Sequence, residues 1–108
     1  MTEQAQIEVR DNPGDHRYDV FVDGNPVGFT EYRAEPDLVI FVHTKIDSEY
    51  EGQGVGTELA RAALDDVRRQ GRHVIPQCPF IAGYIRRHAE YVDLVDERFR
   101  GRFLESKG

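Results

Sequence analysis

The chain has 108 residues, enough for one domain with its own hydrophobic core. Hydrophobic residues make up 39% and charged residues 31% of it, a balance that is typical of a folded globular domain and excludes a wholly disordered chain. The single cysteine excludes an internal disulfide framework and a zinc site built on several thiolates. No apolar run approaches the roughly 20 residues that cross a bilayer, and the first residues do not resemble a targeting leader. We therefore expect a cytoplasmic protein without membrane contacts.

The net charge of −6 is unevenly distributed along the chain. Residues 1–51 carry the acidic excess, whereas residues 52–108 are slightly basic. A nucleic-acid-binding domain needs a dominant basic surface, so nucleic acid is not an expected partner. The acidic charge of residues 1–51 favours a cationic substrate. The slightly basic residues 52–108 are compatible with a small anionic ligand. Acidic charge that serves only solubility is the alternative.

The first half of the chain is predicted to form antiparallel strands. Alternating apolar residues over 7–10, 18–22, 27–33 and 38–46 are separated by turn sequences such as Asp23-Gly24. The segment 38–46 is the strongest of these strands. Strict alternation places Leu38, Ile40, Val42, Thr44 and Ile46 on one face of it, and Val39, Phe41, His43 and Lys45 on the other.

The second half changes to the period of a helix. Apolar residues recur every three or four positions from 56 to 70, which predicts an amphipathic helix that ends at Gly71. A short strand over 73–75 and a second helix over 79–88 follow. The inner face of that helix is assigned to Phe80, Ile81, Tyr84 and Ile85.

The end of the chain carries weaker signals. Tyr91, Leu94 and Val95 are expected to pack as a terminal turn or strand, and the spacing of Phe99 and Phe103 suggests a C-terminal helix. Residues 105–108 are expected to be disordered. The order of elements predicts a single α+β or mixed α/β domain over residues 1–108, with a mostly antiparallel sheet and two main helices.

The sharpest local signal is the glycine-rich loop Glu51-Gly52-Gln53-Gly54-Val55-Gly56-Thr57, between the strongest strand and the strongest helix. Glycines leave backbone amides unshielded, and a helix N-terminus adds positive potential, so the loop suits a phosphate. It is not a Walker loop because no lysine follows Gly56. It is not a dinucleotide fingerprint, because the preceding strands form hairpins and residues 72–75 lack the acidic residue. A tight strand-to-helix connection without a ligand is the alternative.

Taken together, these elements resemble the GNAT superfamily of acetyl-CoA-dependent N-acetyltransferases. The similarity covers about residues 20–95: a strand, a Gly-x-Gly loop that opens a long helix, a short strand and a helix that carries a tyrosine. The segments His43-Thr44, 51–56, Cys78-Pro79-Phe80 and 84–94 resemble a branch of very short GNAT-like proteins with little beyond the coenzyme-binding core. Glu51 departs from the family pattern, which has Arg or Gln there.

The resemblance implies a minimal α+β domain that binds acetyl-CoA as co-substrate, needs no metal and acetylates an amine. Residues expected to hold the pyrophosphate are Gln53, Gly54, Val55, Gly56 and Thr57. The pantetheine arm would run between the strand at 73–77 and the strand that ends near Ile46, whose backbone donors would face the thioester carbonyl. Neutralisation of the coenzyme phosphates and capping of the helix C-terminus are both open for Arg86, Arg87 and His88. Arg86 is assigned to the phosphates, and capping is preferred for Arg87 and His88.

Three side chains are candidates for catalysis. The resemblance implies that Tyr84 protonates the departing thiolate, and a buried core aromatic is the alternative. His43 is a candidate base because an imidazole titrates near neutral pH, and a structural histidine is the alternative. Glu49 and Glu51 are further candidates for the base, although solvated loop carboxylates are the preferred interpretation of both. Cys78 precedes a predicted helix, where a thiolate is favoured and could accept the acetyl group. A small buried hydrophobe is the other interpretation of Cys78.

The acceptor amine is not specified by the sequence, and a protein side chain is one possibility. The alternative to an enzyme is a non-catalytic module that binds or senses acyl-CoA, followed by a plain interaction domain. The scattered histidines lack the spacing of a metal site. Replacement of Gly54 by valine is expected to weaken coenzyme binding with little loss of folding.

Overall fold

The computed structural model describes residues 6–105. The strands are β1 (Ile7–Asn12), β2 (Arg17–Val22), β3 (Asn25–Ala34), β4 (Leu38–Ile46) and β5 (His73–Pro76). The helices are α1 (Val55–Arg69), α2 (Pro79–Arg87) and α3 (Glu97–Glu105), and a 3-10 turn spans Ala89–Leu94. Residues 106–108, most of the tail for which disorder was predicted, lie outside the described residues.

The five strands form one sheet in the order in which they occur along the chain. Strands β1 to β4 are antiparallel neighbours, and β5 pairs in parallel with β4 after the crossover through α1. Asp23 and Gly24, with φ values of 51° and 86°, form the tight turn between β2 and β3 that their sequence predicted. The predicted α+β architecture with a mostly antiparallel sheet is therefore confirmed.

A single core lies between the sheet and the helices. The apolar stripe of α1 predicted from its period is buried throughout, with Leu59 and Leu64 fully enclosed against Val20 and Phe41 of the sheet. After the 3-10 turn, Val95 forms a single parallel bridge to Val74 of β5. This bridge returns the chain to the open edge of the sheet before α3 begins.

The alternation of side chains between the two faces of β4 is interrupted by one residue that has no partner on β3. Phe41 pairs with Tyr32 and His43 pairs with Glu31, so Val42 is a bulge without a partner on β3. Phe41 before the bulge and Thr44 after it therefore share the face that contacts the helices. The prediction that Thr44 and Ile46 lie on the same face as Leu38 and Ile40 is wrong, because a bulge leaves no mark in a pattern of apolar residues.

Candidate functional site

A cleft opens where β4 and β5 separate. Their parallel pairing ends with Phe41 opposite Pro76, and the Cys78 amide donates to the Phe41 carbonyl oxygen at 2.9 Å. Within the described chain, β4 then continues to Ile46 without a strand partner on that side. The cleft has a volume of about 580 Å³. It is lined by Thr44, Ile46, Glu51, Gly52, Gly54, Gly56, Thr57, Phe80 and Arg87.

The glycine-rich loop presents bare backbone to this cleft. Gly52 and Gly54 have φ values of 82° and 83°, and a Cβ atom on either would meet nothing within 4 Å. The first hydrogen bond of α1 runs from the Glu58 amide to the Gly54 carbonyl oxygen. Among the described residues, no carbonyl or side chain accepts a hydrogen bond from the amides of residues 52–57. These amides and the positive end of the α1 dipole form a cradle of the kind that binds a phosphate.

The residues of this cradle contribute in different ways. The Gln53 side chain turns back and donates to the Glu49 carbonyl oxygen at 2.9 Å, so it holds the loop rather than facing the cleft. The Val55 side chain is buried in the core, which leaves only its amide for a ligand. Gly54, Gly56 and Thr57 line the cleft directly.

Phe80 covers Gly56, the last glycine of the glycine-rich loop. A Cβ atom on Gly56 would lie 2.6 Å from the Cζ atom of Phe80, so this close approach requires a residue without a side chain. Phe80 is 36% exposed and lines the cleft instead of joining the core. The prediction that placed Phe80 on the inner face of α2 is therefore wrong.

The two arginines at the end of α2 point in different directions. The Arg86 guanidinium lies over the Phe103 ring, 4.4 Å from its centroid, and reaches the Phe103 carbonyl oxygen at 3.4 Å. Arg87 lines the cleft. The geometry does not favour the role predicted for Arg86 at the coenzyme phosphates, because packing against α3 turns that side chain away.

Cys78 lies beneath the cleft at the N-cap position of α2 and is only 2% exposed. Its Sγ atom is 3.0 Å from the Oγ1 atom of Thr44, which lines the cleft. Thr44 Oγ1 is in turn 2.9 Å from Thr30 Oγ1, and Thr30 is fully buried. The thiol is thus linked to the cleft through a hydroxyl group.

Tyr84 packs between the helices. Its ring stacks on His88 with centroids 4.0 Å apart, and it is not among the residues that line the cleft. Burial raises the pKa of the Tyr84 phenol, and the nearby Arg61 guanidinium opposes this rise. The phenol stays protonated at neutral pH, as a proton donor must, but its packing fits the alternative of a core aromatic equally well.

His43 lies on the other face of the sheet. It is exposed and packs against Phe29, with ring centroids 5.9 Å apart, whereas its neighbour Thr44 faces the helices. The geometry does not favour His43 as a base in the cleft, because adjacent strand residues point to opposite faces. Glu49 and Glu51 are both exposed, and Glu51 is the better placed for that task because it lines the cleft and Glu49 does not.

Sequence reasoning missed the contributions of Thr44, Phe80 and Arg87 to the cleft. A bulge brings Thr44 to the site, so Thr44 had no local signal. Arg87 shares a face of α2 with Phe80, and it was missed because Phe80 was assigned to the core. In the part of the chain that the structure describes, no three His, Cys, Asp or Glu residues are grouped to hold a metal ion. No helix there is long and apolar enough to span a membrane.

Comparison with known proteins agrees with this fold and cleft. The model of a family described as GCN5-related N-acetyl-transferase matches residues 17–94, more than half of the chain. The chain therefore belongs to the GCN5-related N-acetyltransferase family, and the resemblance drawn from its sequence is confirmed. This family generally uses acetyl-CoA as co-substrate.

Two solved structures share the fold. A GCN5-like protein from Staphylococcus aureus is 22% identical, with a TM-score of 0.62 over 82% of this chain and 87% of that one. Ard1 from Thermoplasma volcanium is 24% identical, with a TM-score of 0.50 over 56% of this chain and 43% of that one, so this chain matches less than half of the Ard1 length. A search of curated proteins gave no match.

Proposed function

We propose that this protein binds acetyl-CoA and transfers the acetyl group to an amine. The observation that carries the proposal is the cradle of amides at residues 52–57, which lack acceptors among the described residues and face an open cleft. The cleft extends from this cradle along β4 to Thr44, which contacts the only cysteine of the chain. A phosphate anchor and a thiol thus lie at one site.

The cradle would hold the pyrophosphate of the coenzyme. The amides of Gly54, Val55, Gly56 and Thr57 supply donors that cost no side-chain ordering, and the Thr57 hydroxyl adds another. Arg87 is the cationic residue of the cleft lining, so we assign it the phosphate role first predicted for Arg86. Open space at Gly52 and Gly54 leaves room for the phosphate oxygens.

The unpaired edge of β4 would guide the rest of the coenzyme. Beyond Phe41 this edge has no strand partner in the described chain, so its backbone groups are available to a pantetheine arm. Backbone donors near Ile46 would face the thioester carbonyl and stabilise the charge that develops on its oxygen. Bound acetyl-CoA would supply the acetyl group as an activated thioester.

We place Cys78 as the first acceptor of the acetyl group, because its Sγ atom contacts Thr44 on the cleft wall, whereas His43 and Tyr84, the predicted base and acid, have no such link to the cleft. In this step the Cys78 Sγ atom forms a bond to the carbonyl carbon, the carbon–sulfur bond of the thioester breaks, and the coenzyme leaves as a thiolate that takes up a proton. An amine then attacks the acetyl-cysteine, loses a proton and regenerates the thiol. Glu51 is our candidate to receive that proton.

The rim of the cleft favours a cationic acceptor. Asp47, Glu49 and Glu51 follow β4 at the cleft mouth, and the first half of the chain carries the acidic excess. Such a field attracts an ammonium group, whether on a small amine or on a lysine side chain. Because the reaction requires a free thiol, we place it in a reducing compartment such as the cytoplasm.

A non-catalytic acyl-CoA-binding module is the second candidate function. The position of His43 on the outer face and the burial of Tyr84 favour it, since neither supplies an acid or base at the cleft. Both candidates predict binding, and only the first predicts transfer.

Two measurements test the proposal. Acetyl-CoA should shift the amide resonances of residues 53–57 in the folded protein, and the absence of such shifts would overturn coenzyme binding at this loop. Incubation with acetyl-labelled coenzyme should then label the wild type and leave Cys78→Ala unlabelled. Equal turnover of both proteins toward an amine would exclude the cysteine route in favour of direct attack. Binding without any transfer to protein or amines would establish the second candidate.

A further inference from the structure

Three side chains form a connected line that leads from the core to the cleft. Thr30 Oγ1 lies 2.9 Å from Thr44 Oγ1, and Thr44 Oγ1 lies 3.0 Å from Cys78 Sγ. Thr30 is fully buried, Cys78 is nearly so, and Thr44 is half-buried on the cleft wall. The bulge at Val42 creates this line, because it places Thr44 on the same face as the thiol.

The buried end of the line fixes the direction of its hydrogen bonds. A hydroxyl group has one proton to donate, and a buried donor without an acceptor is costly. Among the described residues, Thr44 Oγ1 is the one hydrogen-bond partner of the Thr30 hydroxyl. Thr30 therefore donates to Thr44, which leaves the proton of Thr44 free to turn toward the sulfur.

We infer that Thr44 is a positioning residue whose hydroxyl donates to the Cys78 thiolate, with Thr30 holding that hydroxyl in place. This inference rests on the proposed function, in which Cys78 accepts the acetyl group. A hydrogen bond to the charged sulfur stabilises the form that attacks a thioester. The N-cap position of Cys78 adds the positive end of the α2 dipole.

Few other charged groups face this sulfur. Glu51 of the glycine-rich loop and Arg87 of α2 both line the cleft. The Glu51 charge disfavours a thiolate at Cys78, and the Arg87 charge favours it. On β4, His43 and Lys45 lie on the outer face of the sheet, and His73 of β5 is exposed. Removal of the Thr44 hydroxyl therefore changes one contact of the sulfur and leaves the charges around it as they were.

The single cysteine allows a direct test in the intact protein. Incorporation of ¹³Cβ-labelled cysteine gives one signal, whose chemical shift follows ionisation of Cys78 without any reagent entering the cleft. Thr44→Val keeps the branched shape and removes the hydroxyl, and Thr44→Ser restores the hydroxyl. We expect the titration midpoint to rise by about one pH unit in Thr44→Val, which corresponds to a tenfold loss of thiolate below the wild-type midpoint. In Thr44→Ser the midpoint should return to the wild-type value.

Two further variants make the result specific. Thr30→Val should raise the midpoint by a smaller amount, because Thr44 loses only the group that orients it. Thr57→Val removes another hydroxyl of the cleft without a contact to the sulfur and should leave the midpoint unchanged. A wild-type midpoint in Thr44→Val, or the same rise in Thr57→Val, would overturn the inference.

The same samples separate this inference from the proposed function. A shifted midpoint together with no acetyl label on Cys78 would support the role of Thr44 and contradict the covalent step. An unshifted midpoint with a labelled Cys78 would keep the covalent step and remove Thr44 from it.

Discussion

Gly54 has an unusual backbone conformation, and the space that a side chain would occupy there is empty. Its φ of 83° lies in the left-handed region, and no atom stands within 4 Å of the place where a Cβ would be. A side chain there would therefore be opposed by backbone strain rather than by a clash. The expectation that Gly54→Val spares folding is revised on this basis, because a β-branched residue resists that region strongly.

Comparison of two glycines separates strain from binding. Gly71, which ends α1 at its far end, has a φ of 74° and the same open surrounding. We expect Gly54→Ala and Gly71→Ala to lower the free energy of unfolding by a similar amount, about 1–2 kcal/mol. Only Gly54→Ala should weaken acetyl-CoA binding, since its methyl group enters the cleft. Urea unfolding and calorimetric titration measure the two effects, and an equal loss of affinity in both variants would contradict the assignment.

The sequence was informative about residues whose role depends on the backbone of a loop. The structure brings the predicted glycines to the cleft and Cys78 into contact with a residue of its wall, while the roles predicted for them stay predictions. His43 was misplaced for a physical reason: a strand pattern assumes a strict period of two, and one extra residue inverts it. Thr44 had no local signal, since its importance arises from contacts with Thr30 and Cys78 across the fold.

At the scale of elements, α2 presents adjacent arginines to two different surroundings. Its helical period predicted that both lie on the exposed side, and both do. Arg87 lies seven positions after Phe80 and so shares the face of α2 that lines the cleft, whereas Arg86 lies on the neighbouring face and packs on the Phe103 ring of α3. The period of α2 therefore contains the information, but it could be used only once Phe80 was known to face the cleft instead of the core.

These arginines form a matched pair for a binding experiment. Arg87→Ala should raise the Kd for acetyl-CoA about tenfold, because one charge-assisted contact to phosphate is lost. Arg86→Ala removes the same charge one position away and should leave the Kd within about twofold. The difference in Kd between the variants should shrink as salt increases, since the phosphate contact is screened. A larger loss in Arg86→Ala would restore the assignment made from the sequence.

At the scale of the whole molecule, a tyrosine joins the sheet to its long helix. The Tyr18 hydroxyl of β2 donates to the Asp66 carboxylate of α1 at 2.6 Å, and the two residues are 48 positions apart in the chain. Burial raises the pKa of Tyr18, and the adjacent Asp66 charge raises it further. The phenol therefore remains a donor throughout the physiological range.

Loss of this bond should destabilise the protein without affecting the cleft. Tyr18→Phe should lower the free energy of unfolding by about 1 kcal/mol. Because the pKa of Tyr18 is higher in the folded than in the unfolded state, the contribution is present below pH 10 and declines as pH rises above it. Urea unfolding at pH 7 and pH 11 should show that the difference between wild type and variant narrows at the higher pH. Tyr50→Phe, at a half-buried site without a described hydroxyl partner, is the control.

Most of the architecture followed from the sequence because local and long-range signals agree in this chain. Turn residues, strand alternation and the period of α1 each predicted the element that the structure contains, and the order of those elements then limited the topology. The parallel placement of β5 beside β4 follows from the crossover through a helix. Predictions of where individual side chains lie were wrong where tertiary contacts override a regular period. Phe80, which packs over Gly56 instead of joining the core, is an example.

The bulge at Val42 determines which face of the sheet each later residue of β4 occupies. The same residues in a strand of regular alternation, with Val42 paired instead of bulged, would turn His43 and Lys45 inward and Thr44 outward. The interior would then meet an imidazole and an ammonium group in place of a neutral alcohol. The chemical character of the cleft wall therefore depends on the bulge, and a change that closed the bulge while keeping every residue of β4 should alter it more than many substitutions.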